Sequence, residues 1–67
     1  MTIPEKLKEA RKAAGYTQKS FGILCGYSQA SAERTVQRWE SGAVYVPIEK
    51  LRTVSKLLKL PLEDLIP

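Results

Sequence analysis

The sequence predicts an all-α fold, a compact bundle of four to five short helices in one domain. Three observations predict it. Apolar residues recur at three- and four-residue spacing in successive segments. Glycine and proline separate those segments at Gly15, Gly26, Gly42 and Pro47. No stretch alternates as a strand would, and there is no internal repeat or low-complexity segment. With 67 residues there is room for one modest core, and 43% hydrophobic residues is too many for a disordered tail.

The first helix starts at Thr2, which has capping-box spacing to Glu5, with Pro4 in the first turn where its missing N–H costs little. Ile3, Leu7, Ala10 and Ala14 form its apolar face, and Gly15 caps its end. Thr17 caps a second, short helix whose apolar side is Phe21, Leu24 and Cys25. Gly22 inside that helix points to a close helix–helix approach, since glycine costs up to about 1 kcal/mol relative to alanine there. Gly26 ends it. Ser28 to Glu40 contains no breaker and carries Ala32, Val36 and Trp39 as a narrow apolar stripe. Ser28 or Ser31 is the candidate N-cap of this third helix, and Gly42 stops it.

Ala43 to Val46 is expected to be extended, because Pro47 disfavours helix in the residue before it. Pro47 suits the first turn of a fourth helix with Ile48, Leu51, Val54, Ser55 and Leu58 inward and Lys50, Arg52, Lys56 and Lys59 mostly outward. Pro61 to Ile66 then forms a last turn, with Leu62, Leu65 and Ile66 closing the core.

Composition narrows the function. The net charge is +4, with basic residues spread along the chain, which favours an anionic partner without identifying one. There is one cysteine and no histidine, which excludes an internal disulfide, a histidine-based metal site and Ser–His or Cys–His catalysis. Cys25 reads as a small core residue. The one close carboxylate pair, Glu63 and Asp64, reads as a solvated helix start. No Gly-rich phosphate loop is present, so no enzyme, cofactor or small-molecule ligand is expected. No apolar run approaches the roughly 20 residues that span a bilayer, and the first residues lack a signal-like apolar stretch. A cytoplasmic location without membrane attachment is the expectation.

The polar face of the third helix carries more. At about 100° per residue, Arg34 and Arg38 point away from Ala32, Val36 and Trp39, flanked by Gln37 and, a turn earlier, Ser31. Arginine can pair bidentately with guanine, and glutamine with adenine. Two arginines one turn apart can reach neighbouring bases or phosphates. The plain alternative is a solvated helix face.

The order Tyr16-Thr17-Gln18, then Phe21, Gly22, Cys25 and Gly26, then Arg34-Thr35-Val36-Gln37-Arg38-Trp39-Glu40-Ser41-Gly42 resembles the phage-repressor and Cro-like helix-turn-helix family, also called the XRE family. Arg11, Pro47 and Leu60 to Leu65 extend the likeness over nearly the whole chain. The resemblance implies a lambda-repressor-like domain over residues 1–67, with its motif at about 17–42. It implies base reading by Arg34, Arg38, Gln37 and Glu33, and backbone contacts from Thr17, Gln18, Thr35 and Ser41. Gln18 would also brace the recognition helix. Arg11 and Glu40 resemble an internal ion pair that ties the first helix to the end of the third.

Two features depart from that pattern. Gly26 to Trp39 is longer than the family spacing by about one helical turn, the insertion falling at Tyr27 to Ser31. Either the turn is an enlarged loop or the third helix starts early. The unbroken SQASAERTV stretch favours the early start, which would put Ser28 and Ser31 beside phosphate. The loop before the fourth helix, Ala43 to Val46, is apolar where relatives are often basic. Tyr45 can still donate to a phosphate. Alternatively Val44, Tyr45 and Val46 pack on the core or meet a second subunit or another protein.

The resulting expectation is a sequence-specific regulator that binds double-stranded DNA, as a homodimer that forms on DNA if not before. The alternative is a protein-interaction module of the same fold, such as an antitoxin-like partner with weak DNA binding.

Overall fold

In a computed structural model that describes residues 2–67, four helices follow one another: α1 (Ile3–Ala13), α2 (Gln18–Leu24), α3 (Ala32–Ser41) and α4 (Ile48–Leu58). A single 3-10 turn, Leu62–Asp64, follows. No strand occurs among the described residues, as the all-α reading requires. No helix among them is long and apolar enough to cross a membrane.

Local chemistry places the first two helices. Thr2 accepts from the Glu5 N–H at 3.4 Å and the Glu5 carboxylate accepts from the Thr2 N–H at 2.9 Å, a reciprocal capping box. The Thr2 backbone and side-chain donors hold the Glu5 carboxyl below its usual range. Thr17 and Ser20 repeat the arrangement at α2, each N–H bonded to the other's hydroxyl at 3.0 Å. Among the described residues, no buried side-chain nitrogen or oxygen lacks a partner.

The core gathers Leu7, Phe21, Cys25, Val36, Trp39, Val46, Val54, Leu58 and Leu65. Trp39 is its aromatic hub, set edge-on to Phe21 with ring centroids 6.5 Å apart and to Tyr27 at 5.7 Å. A salt bridge from Lys6 to Asp64, 3.2 Å and half-exposed, draws the C-terminal turn against α1.

Several side chains lie elsewhere than their spacing implies. Leu24 is exposed, because the buried arc of α2 runs through Phe21, Gly22 and Cys25 and leaves Leu24 about 100° away. Ile48 is 86% exposed. It is the first residue of α4, and a helical side chain covers the turn N-terminal to its own Cα, which here lies off the end of the bundle. Pro47 is the N-cap of α4 and not part of its first turn. Ala14 is exposed at the C-cap of α1. Of the last apolar residues only Leu65 is buried; Leu62 and Ile66 face solvent, since one 3-10 turn can point a single side chain inward.

The early start of α3 does not occur. Residues 28–31 form a turn in which the N–H groups of Ser31 and Ala32 both donate to the Ser28 carbonyl, at 3.1 and 2.8 Å. Neither serine hydroxyl caps the helix; the two bond each other at 3.0 Å. Lacking a breaker does not make a stretch helical. Two serines that satisfy each other and the backbone locally offer the chain a turn instead.

The reason the turn lies where it does is the contact between α2 and α3. A Cβ at Gly22 would stand 2.5 Å from the Ala32 carbonyl oxygen and 2.7 Å from its Cβ. The first residue of α3 therefore rests on bare backbone of α2. Helix propensity alone favours Gly22→Ala by about 1 kcal/mol. Overlap with a neighbouring backbone outweighs it, so the substitution is expected to destabilise by about 1–3 kcal/mol in urea unfolding. Lys59 caps α4 in the left-handed region, at φ 56°. Lys59→Gly is expected to raise the thermal midpoint, through relief of about 1 kcal/mol of backbone strain.

Candidate nucleic-acid interface

The outer face of α3 is built by exclusion. Ala32, Val36 and Trp39 are buried, so Arg34 and Arg38 project from the opposite side, with Glu33 and Gln37 exposed beside them. The ten residues of α3 span about 15 Å, and a helix of this kind fits a major groove about 12 Å wide. Gly42 ends it in a left-handed C-cap at φ 84°, with its N–H turned back to the Arg38 and Trp39 carbonyls. The helix is thus limited to just under three turns.

Orientation of that face is set by a buried polar cluster. Arg11 on α1 donates from Nε to Glu40 Oε2 at 2.6 Å and from Nη2 to Oε1 at 3.1 Å. Its Nη1 donates to the Tyr16 carbonyl at 2.9 Å. Gln18 Nε2 adds a 3.1 Å bond to Glu40 Oε1. The two charged side chains are 8% and 4% exposed. These bonds together hold α1, the α1–α2 connection and α2 against the last turn of α3. A two-point fork fixes direction as well as distance.

The hydroxyl groups differ in what they have left to give. Thr35 Oγ1 donates to the Ser31 carbonyl at 2.8 Å, and Ser41 Oγ to the Arg38 carbonyl at 3.1 Å. Thr17 Oγ1 donates to Ser20 Oγ at 3.0 Å. A phosphate oxygen only accepts, so none of these three can serve it without breaking an internal bond. Ser28 and Ser31 share one bond between two hydroxyls, which leaves one proton free. Gln18 keeps a second amide proton, and Tyr45 is exposed.

Val46 is buried, while Val44 and Tyr45 remain exposed. The apolar loop thus divides: one residue packs on the core and two do not. A cleft of about 310 Å³ separates α3 from this loop, between Tyr27, Thr35, Arg38, Val44, Tyr45 and Pro47. It opens beside one of the two arginines. A larger hollow of about 530 Å³ lies between Ala10, Ala14, Tyr16 and the end of α4, but its alanine and leucine walls share no residue with α3. Lys50, expected to face outward, is half-buried with its ammonium 5.2 Å from the centre of the Tyr27 ring. The path of the turn before α3 brings the two together, and periodicity carries no signal for it.

A family model described as helix-turn-helix matches residues 7–65. That span takes in all four helices from Leu7 onward, both arginines and the Arg11–Glu40 pair. No curated protein matches the chain.

Removing one member of a buried ion pair strands the other, at a cost of about 3–5 kcal/mol. The whole stability of a domain this small is of that order. Arg11→Met or Glu40→Leu alone is therefore expected to leave the chain largely unfolded at room temperature by circular dichroism. The double substitution, which removes both charges, is expected to recover most of the helical signal.

Proposed function

The chain belongs to the helix-turn-helix family, a family of DNA-binding regulators, and on that premise we propose that it is a sequence-specific transcriptional regulator of phage-repressor or Cro type. It reads bases in the major groove with α3. The observation that carries this reading is the pair Arg34 and Arg38, exposed one turn apart on a helix whose other side is locked into the core. Glu33 and Gln37 complete the base-reading set. Glutamate accepts from cytosine and cannot approach phosphate, so Glu33 would discriminate more than it attracts.

Affinity comes mainly from neutralising phosphates, and specificity from the few side chains at base edges. On the backbone, Gln18, Tyr45 and the free hydroxyl of Ser28 or Ser31 are the donors with protons to spare. Thr17, Thr35 and Ser41 would contribute only by giving up an internal bond. One domain covers few base pairs, so two copies on a palindromic site are part of the proposal. The molecule measures 28 × 23 × 20 Å, and two copies fit side by side on half-sites one turn, about 34 Å, apart.

The proposed role is non-catalytic and cytoplasmic, without cofactor, membrane or small-molecule ligand. Burial pushes the Cys25 thiol up to about 11 against the opposing pull of Lys50, so it stays protonated and unreactive at neutral pH.

A second reading is favoured by exposed Val44, Tyr45 and Ile48, an apolar strip that suits another protein. Under it the chain is an interaction module, antitoxin-like, with weak DNA binding. Salt separates the two: phosphate contacts make affinity fall steeply with ionic strength, whereas apolar capture of a protein does not.

The test is selection of bound sequences from random duplex DNA, repeated with variants. Arg34→Ala and Arg38→Ala are each expected to weaken the selected site about 10- to 100-fold and to relax preference at one position. Both side chains are solvent-exposed, so the helical signal should stay unchanged. Unaltered preference in a folded variant would remove that arginine from the recognition face.

A further inference from the structure

The turn inserted before α3 is the least family-like part of the chain, and it is held in two unequal halves. Its second half, residues 28–31, rests on bonds among its own serines and backbone. Its first residue, Tyr27, is fastened from three sides. The Tyr27 N–H donates to the Gly22 carbonyl at 3.1 Å. Its ring meets that of Trp39 on α3 at a steep angle, with centroids 5.7 Å apart. Lys50, from the first turn of α4, places its ammonium 5.2 Å from the ring centre.

The same ammonium lies so close to Gly26 that a Cβ there would come within 2.9 Å of it. Gly26 follows the C-terminal end of α2, the weak negative pole of the helix dipole. Lys50 therefore has two attractions in one place, a ring face and a helix end, and both belong to the segment that joins α2 to α3. Its other route would be outward, to solvent or to a phosphate. A lysine stem is long enough for either, and the half-buried position shows which it takes here.

We infer that Lys50 is a positioning residue, which pins Tyr27 and the end of α2 and thereby sets the angle at which α3 meets DNA. The inference rests on the reading of α3 as the DNA-contacting helix. Tyr27 transmits the constraint because its ring is shared: Lys50 holds one surface and Trp39, the hub of α3, holds another. Without the cation, the ring keeps its contact with Trp39 but loses its tie to α4. The longer turn then gains freedom in front of Ala32, where α3 begins.

The test uses the full chain and a duplex taken from the selection described above. Lys50→Met keeps the stem and removes the charge. It is expected to weaken binding about fivefold, with an unchanged dependence on salt. Tyr27→Leu should weaken binding similarly, Tyr27→Phe should behave as wild type, and Lys50→Met added to Tyr27→Leu should cost less than the two single effects combined. A salt slope that falls by about 0.9 in Lys50→Met would mean a direct phosphate contact, and would overturn the inference. Unchanged affinity in Lys50→Met would overturn it as well.

Hydrogen exchange separates this inference from the DNA reading. The Ser31 and Ala32 amides, which close the turn, should exchange faster in Lys50→Met than in wild type without any DNA present. If the wild-type chain selects no duplex, the reading of α3 fails on its own. Unchanged exchange at those two amides would then still refute the anchoring by Lys50. Should Tyr27→Leu fail to fold, the Lys50→Met and Tyr27→Phe pair decides.

Discussion

Arg11 carries a charge into the interior of this protein, and Glu40 is the reason it can be there. The pair joins two helices through residues 29 positions apart in sequence. In a domain with so little apolar surface to bury, such a link does not add much net stability, because desolvating two charges consumes most of what their attraction returns. What it supplies is direction. A fork of two hydrogen bonds, a third to the Tyr16 carbonyl and a fourth from Gln18 leave the last turn of α3 one orientation relative to α1 and α2. An apolar contact of equal area would tolerate sliding and rotation. The face that carries Arg34 and Arg38 inherits its aim from this cluster.

The start of α3 is governed by different forces. There the constraint is steric, bare backbone at Gly22 against Ala32, and aromatic, Tyr27 between Trp39 and Lys50. Helix α3 is thus held at its C-terminal end by charge and at its N-terminal end by shape. The two ends respond to different changes. Loss of either buried charge acts on the first, and volume and ring geometry on the second. The arginines, tied to Trp39 by helical spacing, keep their place whatever path residues 27–31 take.

Much of this was legible in the residues. The capping boxes at Thr2 and Thr17, the stops at Gly15, Gly26 and Gly42, and the Ala32–Val36–Trp39 stripe all follow from short-range rules, and short-range rules do not need the fold. Gly22 signalled the close approach, though not its partner. The failures share a cause. Leu24, Ile48, Leu62 and Ile66 lie at helix ends or on a short turn, where spacing assigns a face but not whether anything stands opposite it. The unbroken stretch from Ser28 was read as helix because absence of a breaker was the only local information. The backbone turn on the Ser28 carbonyl and the contact of Gly22 with Ala32 decide otherwise.

The sequence by itself determined the fold class, the sides of α3 and the identity of its outward arginines. Each depends on periodicity within a single helix, and periodicity is a property of neighbouring residues. Only the tertiary structure decided where α3 begins, which hydroxyls still have a proton to offer, and that Lys50 turns inward over Tyr27. Those outcomes are settled by atoms brought together from separate helices, where local preferences are nearly balanced and a single contact tips them.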